Sequence, residues 1–234
     1  MVAVVLGTDS RLNSDERSRI GALWCESALQ EHSSIASFGD FLRDAMLVGA
    51  PPDFLRRIIR AMNDELRHAQ ICFNIAREIA GIVKGPGDFP LLAGVKRRQS
   101  VEEILSAVIV EGCIGETVAA AYLESASEQA ASPALAQVLK EIASDEAEHG
   151  ALAWDFVKWL LNQRPDLWAI GQKIFEGAFV APLEIEQHAL FCDSAARFGH
   201  LDFEHRLAVR RNCLATRVRP AFERLFNTAL VAAN

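Results

Sequence analysis

The chain has 234 residues, half of them apolar and 24% charged, with only 14 glycines and 8 prolines, which gives enough length for one sizeable core and excludes a disordered chain. A net charge of −7 gives no electrostatic reason to bind a polyanion, so a nucleic-acid partner is not expected. Five cysteines without a CxxC pair exclude a zinc ribbon and a disulfide framework, and a reducing compartment, the cytoplasm, fits them best.

Met1 to Gly7 lacks a basic n-region and is too short for a signal peptide, and no apolar run is charge-free for about 18 residues. Neither secretion nor membrane insertion is expected. From about Ser14 to Leu47 the apolar positions Ile20, Leu23, Trp24, Ala28, Ile35, Phe38 and Leu42 recur at helical spacing, which predicts a first helix. Gly49, Pro51 and Pro52 break it, and Asp53 adds negative charge to the first turn of a second helix that runs to roughly Ile82. Residues 83–99 hold Gly85, Pro86, Gly87 and Pro90 and read as a long crossover. Ser100 with Glu103 is a capping-box pattern and opens a third helix to about Ala130. Ser132 and Pro133 then serve as N-cap and first position of a fourth, ending near Asn162. Two further helical stretches, about 166–178 and 202–230, flank an irregular segment that includes Pro182 and Gly199. The expectation is an all-α single domain over 1–234, with a four-helix bundle over 14–162 and a C-terminal helical extension over 166–230.

The chemistry concentrates in two Glu-x-x-His motifs, Glu65 to His68 and Glu146 to His149, each lying 13 residues after a helix-opening proline, Pro52 or Pro133. Glu and His three apart share a helix face, so both reach one metal ion. Between Ile104 and Leu123 the sole acids are Glu111 and Glu116, and a carboxylate in so apolar a helix needs a cation or a metal. At about 1.5 Å per residue, Glu31 meets Glu65 in height within one hairpin and Glu116 meets Glu146 within the other. Glu26 and Glu31 mirror Glu111 and Glu116, as a duplicated hairpin would. Five residues is about 140° around a helix, so Glu111 and Glu116 cannot both face one centre. Glu116 is the first choice, with Glu111 as the alternative.

One Glu from each of two helices and a Glu-x-x-His from each of two others resembles the ligand pattern of ferritin-like di-iron and di-manganese proteins. The phrases Glu31-His-Ser-Ser, Asp64-Glu-Leu-Arg-His-Ala and Glu111-Gly-Cys-Ile-Gly-Glu-Thr look most like stand-alone bacterial members of that superfamily, which also holds rubrerythrins, ribonucleotide reductase small subunits, aldehyde-deformylating oxygenases and tRNA hydroxylases. The resemblance covers about residues 15–162. It implies a ferritin-like four-helix bundle whose metal ligands are Glu31, Glu65, His68, Glu116, Glu146 and His149, with Glu65 and Glu146 bridging. The implied cofactors are two iron ions, or manganese or a mixed pair, with dioxygen as cosubstrate and an external electron donor. The expected activity is oxidation of a small organic substrate by hydroxylation, desaturation or a related reaction. Alternatives are a ferroxidase or peroxidase that handles metal, and a metal-free interaction bundle. A homodimer is compatible with the reading.

Small residues around Glu31 (Ser27, Ala28, Ser34) and Glu116 (Gly112, Cys113, Ala119, Ala120) read either as close helix packing or as room for substrate. His32 points about 100° away from Glu31, which suits a surface or supporting role. His188, His200 and His205 read as structural or exposed, Tyr122 as packing, and Trp24, Trp154, Trp159 and Trp168 as core or interface anchors. Asp64, Arg67 and Asp145 are candidates to orient the ligating histidines. Arg206, Arg210, Arg211, Arg217 and Arg219 read as a solvated helix face.

Overall fold

A computed structural model describes residues 12–88, 98–180 and 189–232, with side chains through residue 227. Among them the chain is all-α. Helix α1, Ser14–Leu47, opens on a capping box in which Asn13 Oδ1 accepts from the Glu16 N–H and the Glu16 carboxylate accepts from the Asn13 N–H. The N-cap therefore lies at Asn13, and the two side chains together satisfy two amide donors that the first turn leaves open. Helix α2, Pro52–Ala80, starts on the Pro51-Pro52 pair and stops at Gly81, whose φ of 66° is left-handed and lets its N–H cap the Arg77 carbonyl.

The third predicted helix is interrupted. It consists of α3 (Val101–Ala107), a π-helical segment (Val108–Glu116) and α4 (Thr117–Gln129). Ser100 caps its start by accepting from the Glu103 N–H, while Glu103 reaches back to the Gln99 N–H. Helix α5, Pro133–Gln163, follows, with the Ser132 hydroxyl accepting from the Leu135 N–H. A 3₁₀ turn, Pro165–Leu167, leads into α6, Trp168–Val180. A further 3₁₀ stretch, Asp193–Phe198, precedes α7 (Phe203–Cys213), a second π segment (Leu214–Val218) and α8 (Arg219–Ala232). Part of the expected crossover, residues 89–97, lies outside the described residues, as do Pro182 and His188.

The chain divides into two compact units, and both divisions inside the long helices fall within continuous elements, α4 and α5. Of the described residues, the first unit holds 12–88, 123–142 and 189–203. Its centre is the α1/α2 antiparallel pair, held close where Gly21 faces Ala80 and Ile82 and, at the other end, where Gly39 faces Met62. Trp24 is buried and donates its indole N–H to the Phe198 carbonyl at 2.8 Å. Gly199, at φ 94°, turns the chain tightly against that ring. Arg19 donates to three carbonyls, those of Ala189, Leu190 and Phe191, and so pins the segment that carries Phe198.

Of the described residues, the second unit holds 98–122, 143–180 and 204–232. Here the π segment and the start of α4 run antiparallel to α5, with Gly112 opposite Ala153 and Thr117 opposite Gly150. An aromatic cluster joins α5, α6 and α8: Trp154 stacks on Phe175, which also meets Phe222 and Phe226, and Trp168 meets Phe226 edge-on. Rings of this size remove large apolar areas from water, so the C-terminal helices are bound into this unit's core. By length and composition, Val101–Gln129 is apolar enough to cross a membrane, and half of its most apolar window is buried.

Candidate metal-binding site

In the first unit, α2 presents Glu65 and His68 one turn apart on its buried face, at 1% and 0% exposure. Helix α1 supplies the half-buried Glu31. His68 Nδ1 lies 3.6 Å from Glu31 Oε2 and 3.9 Å from Glu65 Oε2. One ligand atom from each of the three lies within 4.8 Å of the others. Two donors bound to one first-row cation at about 2.0–2.2 Å stand at most about 4.4 Å apart. The 3.6 and 3.9 Å gaps suit one ion.

The second unit repeats the arrangement. Helix α5 presents Glu146 and His149, both 4% exposed, with His149 Nδ1 3.5 Å from Glu146 Oε2. The half-buried Glu116 is the last residue of the π segment, and its ligand atom lies within 4.8 Å of those of Glu146 and His149. Both triplets thus combine two carboxylates with one imidazole. With neutral histidine each carries two negative charges, and with a protonated one each still carries one. Net negative charge at such depth is costly unless a cation balances it, and one divalent cation per triplet does so. Carboxylate oxygen and imidazole nitrogen suit iron, manganese or zinc. These buried groups can hold a metal ion.

Glu111 is exposed and goes elsewhere: both of its oxygens lie 3.2 Å from Arg98 Nη2. The choice between the two acids of the apolar helix therefore falls on Glu116. An even α-helical ladder across Glu111 and Glu116 is the expectation that fails. The segment between them is π-helical, wound with one residue more per turn, a form that recurs at functional sites.

The small residues around Glu116 serve close packing. A Cβ on Gly112 would stand 2.5 Å from Ala153 Cβ, and one on Gly150 would stand 3.1 Å from Thr117 Oγ1. Cys113 is fully buried, and burial pushes its thiol well above the usual range, so no thiolate arises beside Glu116 at neutral pH. Thr117 donates its hydroxyl to the Cys113 carbonyl at 2.7 Å, and the Cys213 thiol donates to the Thr117 carbonyl at 3.4 Å. Thr117, Gly150 and Cys213 were not singled out from the sequence. Thr117 and Gly150 directly follow Glu116 and His149, which was the only available signal.

The remaining expectations resolve locally. Tyr122 lies beneath the Arg206 guanidinium, 5.3 Å from its ring centre, and Arg219 lies over Phe179 at 4.4 Å. Two of the five stripe arginines therefore cover aromatic faces. Arg67 pairs with Asp64 at 3.2 Å. His200 meets Trp24 edge-on, His32 is half-buried and His205 is exposed. None of the five cysteines forms a disulfide. A surface groove of about 1020 Å³ in the second unit runs between α5 and α8, lined in part by Trp154, Asp155, Lys158, Glu223 and Arg224, and none of the six candidate ligands reaches it.

Set beside protein-family models, curated proteins and solved structures, the chain matches none of them.

Proposed function

We propose that the chain is a two-metal carboxylate protein of the ferritin-like type that uses dioxygen to oxidise a small organic substrate. The observation that carries the metal part is the gathering, in each unit, of a buried carboxylate, a buried imidazole and a half-buried carboxylate whose ligand atoms lie within 4.8 Å of one another. Glu31, Glu65 and His68 would hold one ion, and Glu116, Glu146 and His149 the other. The redox part rests on the resemblance of this ligand pattern to di-iron proteins, in which the bound metal supplies electrons for oxygen reduction and open positions for oxygen.

What the chain's own residues contribute is placement and exclusion of water. Glu65, His68, Glu146 and His149 are held on rigid helices with almost no exposure, so their donor atoms are arranged before a metal arrives. The half-buried Glu31 and Glu116 are the ligands nearest solvent in their triplets. They have the freedom to shift when a substrate enters.

The test is to load metal-stripped full-length protein with iron(II) without oxygen, mix it with oxygenated buffer, and follow oxygen consumption and visible absorption. Consumption faster than that of free iron(II), and lost in Glu65→Ala and Glu146→Ala, is the expected result. Oxidation at the rate of free iron(II) in all three proteins would overturn the oxygen-activating reading.

A further inference from the structure

The exit of the π segment is built differently from the rest of its helix. In an α-helical ladder the Thr117 N–H would donate to the Cys113 carbonyl, four residues back. Here the Thr117 N–H turns to the Ile114 carbonyl, and the Thr117 hydroxyl takes the Cys113 carbonyl instead, at 2.7 Å. The side chain stands in for its own amide at the point where the wide ladder closes. The Thr117 carbonyl is in turn gripped from another element: the Cys213 thiol, on the last residue of α7, donates to it at 3.4 Å. Cys213 is 1% exposed, and the π segment that begins at the next residue packs against the first one. On the opposite flank Gly150 leaves just enough room for Thr117 to close on α5.

These contacts converge on the residue directly after Glu116. We infer that Thr117 and Cys213 form a clamp that holds the π-to-α junction in register and so positions the Glu116 carboxylate as a metal ligand, with the C-terminal extension acting on the site through Cys213. The inference rests on the metal reading above. If the nine-residue segment relaxed to a regular α-helix, more than one residue of winding would be lost and Glu116 would turn by about 100° or more relative to the residues before the segment. That is more than a ligand can absorb. Both residues are positioning residues, since each acts through a hydrogen bond to the backbone of the helix that carries Glu116.

Cobalt(II) titrated into the metal-stripped full chain, followed by its visible absorption, reads the site directly. In a His68→Ala background, which disables the triplet of the first unit, the remaining binding reports Glu116, Glu146 and His149. Thr117→Val and Cys213→Ala should each weaken that binding by about 10-fold, the lower end of what outer-shell partners of metal ligands contribute. Thr117→Ser and Cys213→Ser, which keep a donor, should restore it. Cys72→Ala, which empties a similar volume on the buried face of α2 in the first unit, should leave it unchanged. Thr117→Val and Cys213→Ala that bind cobalt as tightly as their parent would overturn the clamp and leave the metal reading standing. Weakening that the serine variants fail to rescue would assign the effect to packing and also overturn it. If Thr117→Val does not fold, the Cys213 pair decides by the same criteria. Absence of cobalt binding by the unsubstituted chain would overturn the metal reading and this inference with it.

Discussion

Glu65 and Glu146 are each buried one turn from a histidine, and their removal should be felt in opposite ways with and without metal. In metal-free protein, replacing either by alanine relieves excess negative charge, so stability should hold or rise in a denaturant titration. With metal present, the same variants should lose the ligand-dependent stabilisation, which amounts to about 2.7 kcal/mol at one hundred times the dissociation constant. Glu111→Gln should change neither metal binding nor oxygen consumption, because that side chain faces Arg98 on the surface. Its metal isotherm overlaying the unsubstituted one is the check. The two Glu-x-x-His motifs were legible because helical spacing alone puts their side chains on one face. Helical height made Glu116 the first choice over Glu111, but the surface partner of Glu111 was not legible, since Arg98 lies outside the helix, 13 residues earlier in the chain.

At the scale of the element, caps and breakers marked most helix ends. Pro52, Ser100 and Pro133 stand within a residue of the observed limits, for the reason that each satisfies or removes a terminal backbone group, whereas the stop at Gly81 falls just short of the expected end near Ile82. The π segment left no comparable mark. Residues 104–123 are apolar nearly all round, so a slip in helical phase moves no charge from water to core and leaves the pattern unchanged. The glycines inside it are the exception. Gly112→Ala should cost about 1–3 kcal/mol, the usual result of overpacking, measured by chemical denaturation, because the new methyl collides with Ala153. In the first unit Gly199→Ala combines a left-handed backbone with a collision against Trp24. It should lower stability and shift Trp24 emission towards longer wavelength as the bond to Phe198 loosens. Unchanged emission and unchanged denaturation midpoint would contradict that role.

For the whole molecule, the sequence conveyed an all-helical chain but not how its segments are shared between compact units. Residues 189–203 join the first unit and 204–232 the second, a division set by long-range contacts such as Trp24 to Phe198 and Phe175 to Phe226, which leave no periodic trace in sequence. The extension after Pro165 is therefore part of the cores rather than an appendage, and deleting α8 should expose Phe175 and the aromatic cluster and abolish cooperative unfolding in the second unit. The duplication suggested by the two motifs has a counterpart in the structure: each unit carries a buried Glu and His beside a half-buried Glu. The central claim is that these triplets exist to hold metal. Its most direct test is the metal content of full-length protein purified with iron and manganese available, measured against protein concentration. About two ions per chain, one for each group of two carboxylates and an imidazole, falling to about one in His68→Ala, is the predicted result. Protein that is folded and metal-free under those conditions would contradict it and leave the two triplets as carboxylate–imidazole pairs of a structural bundle.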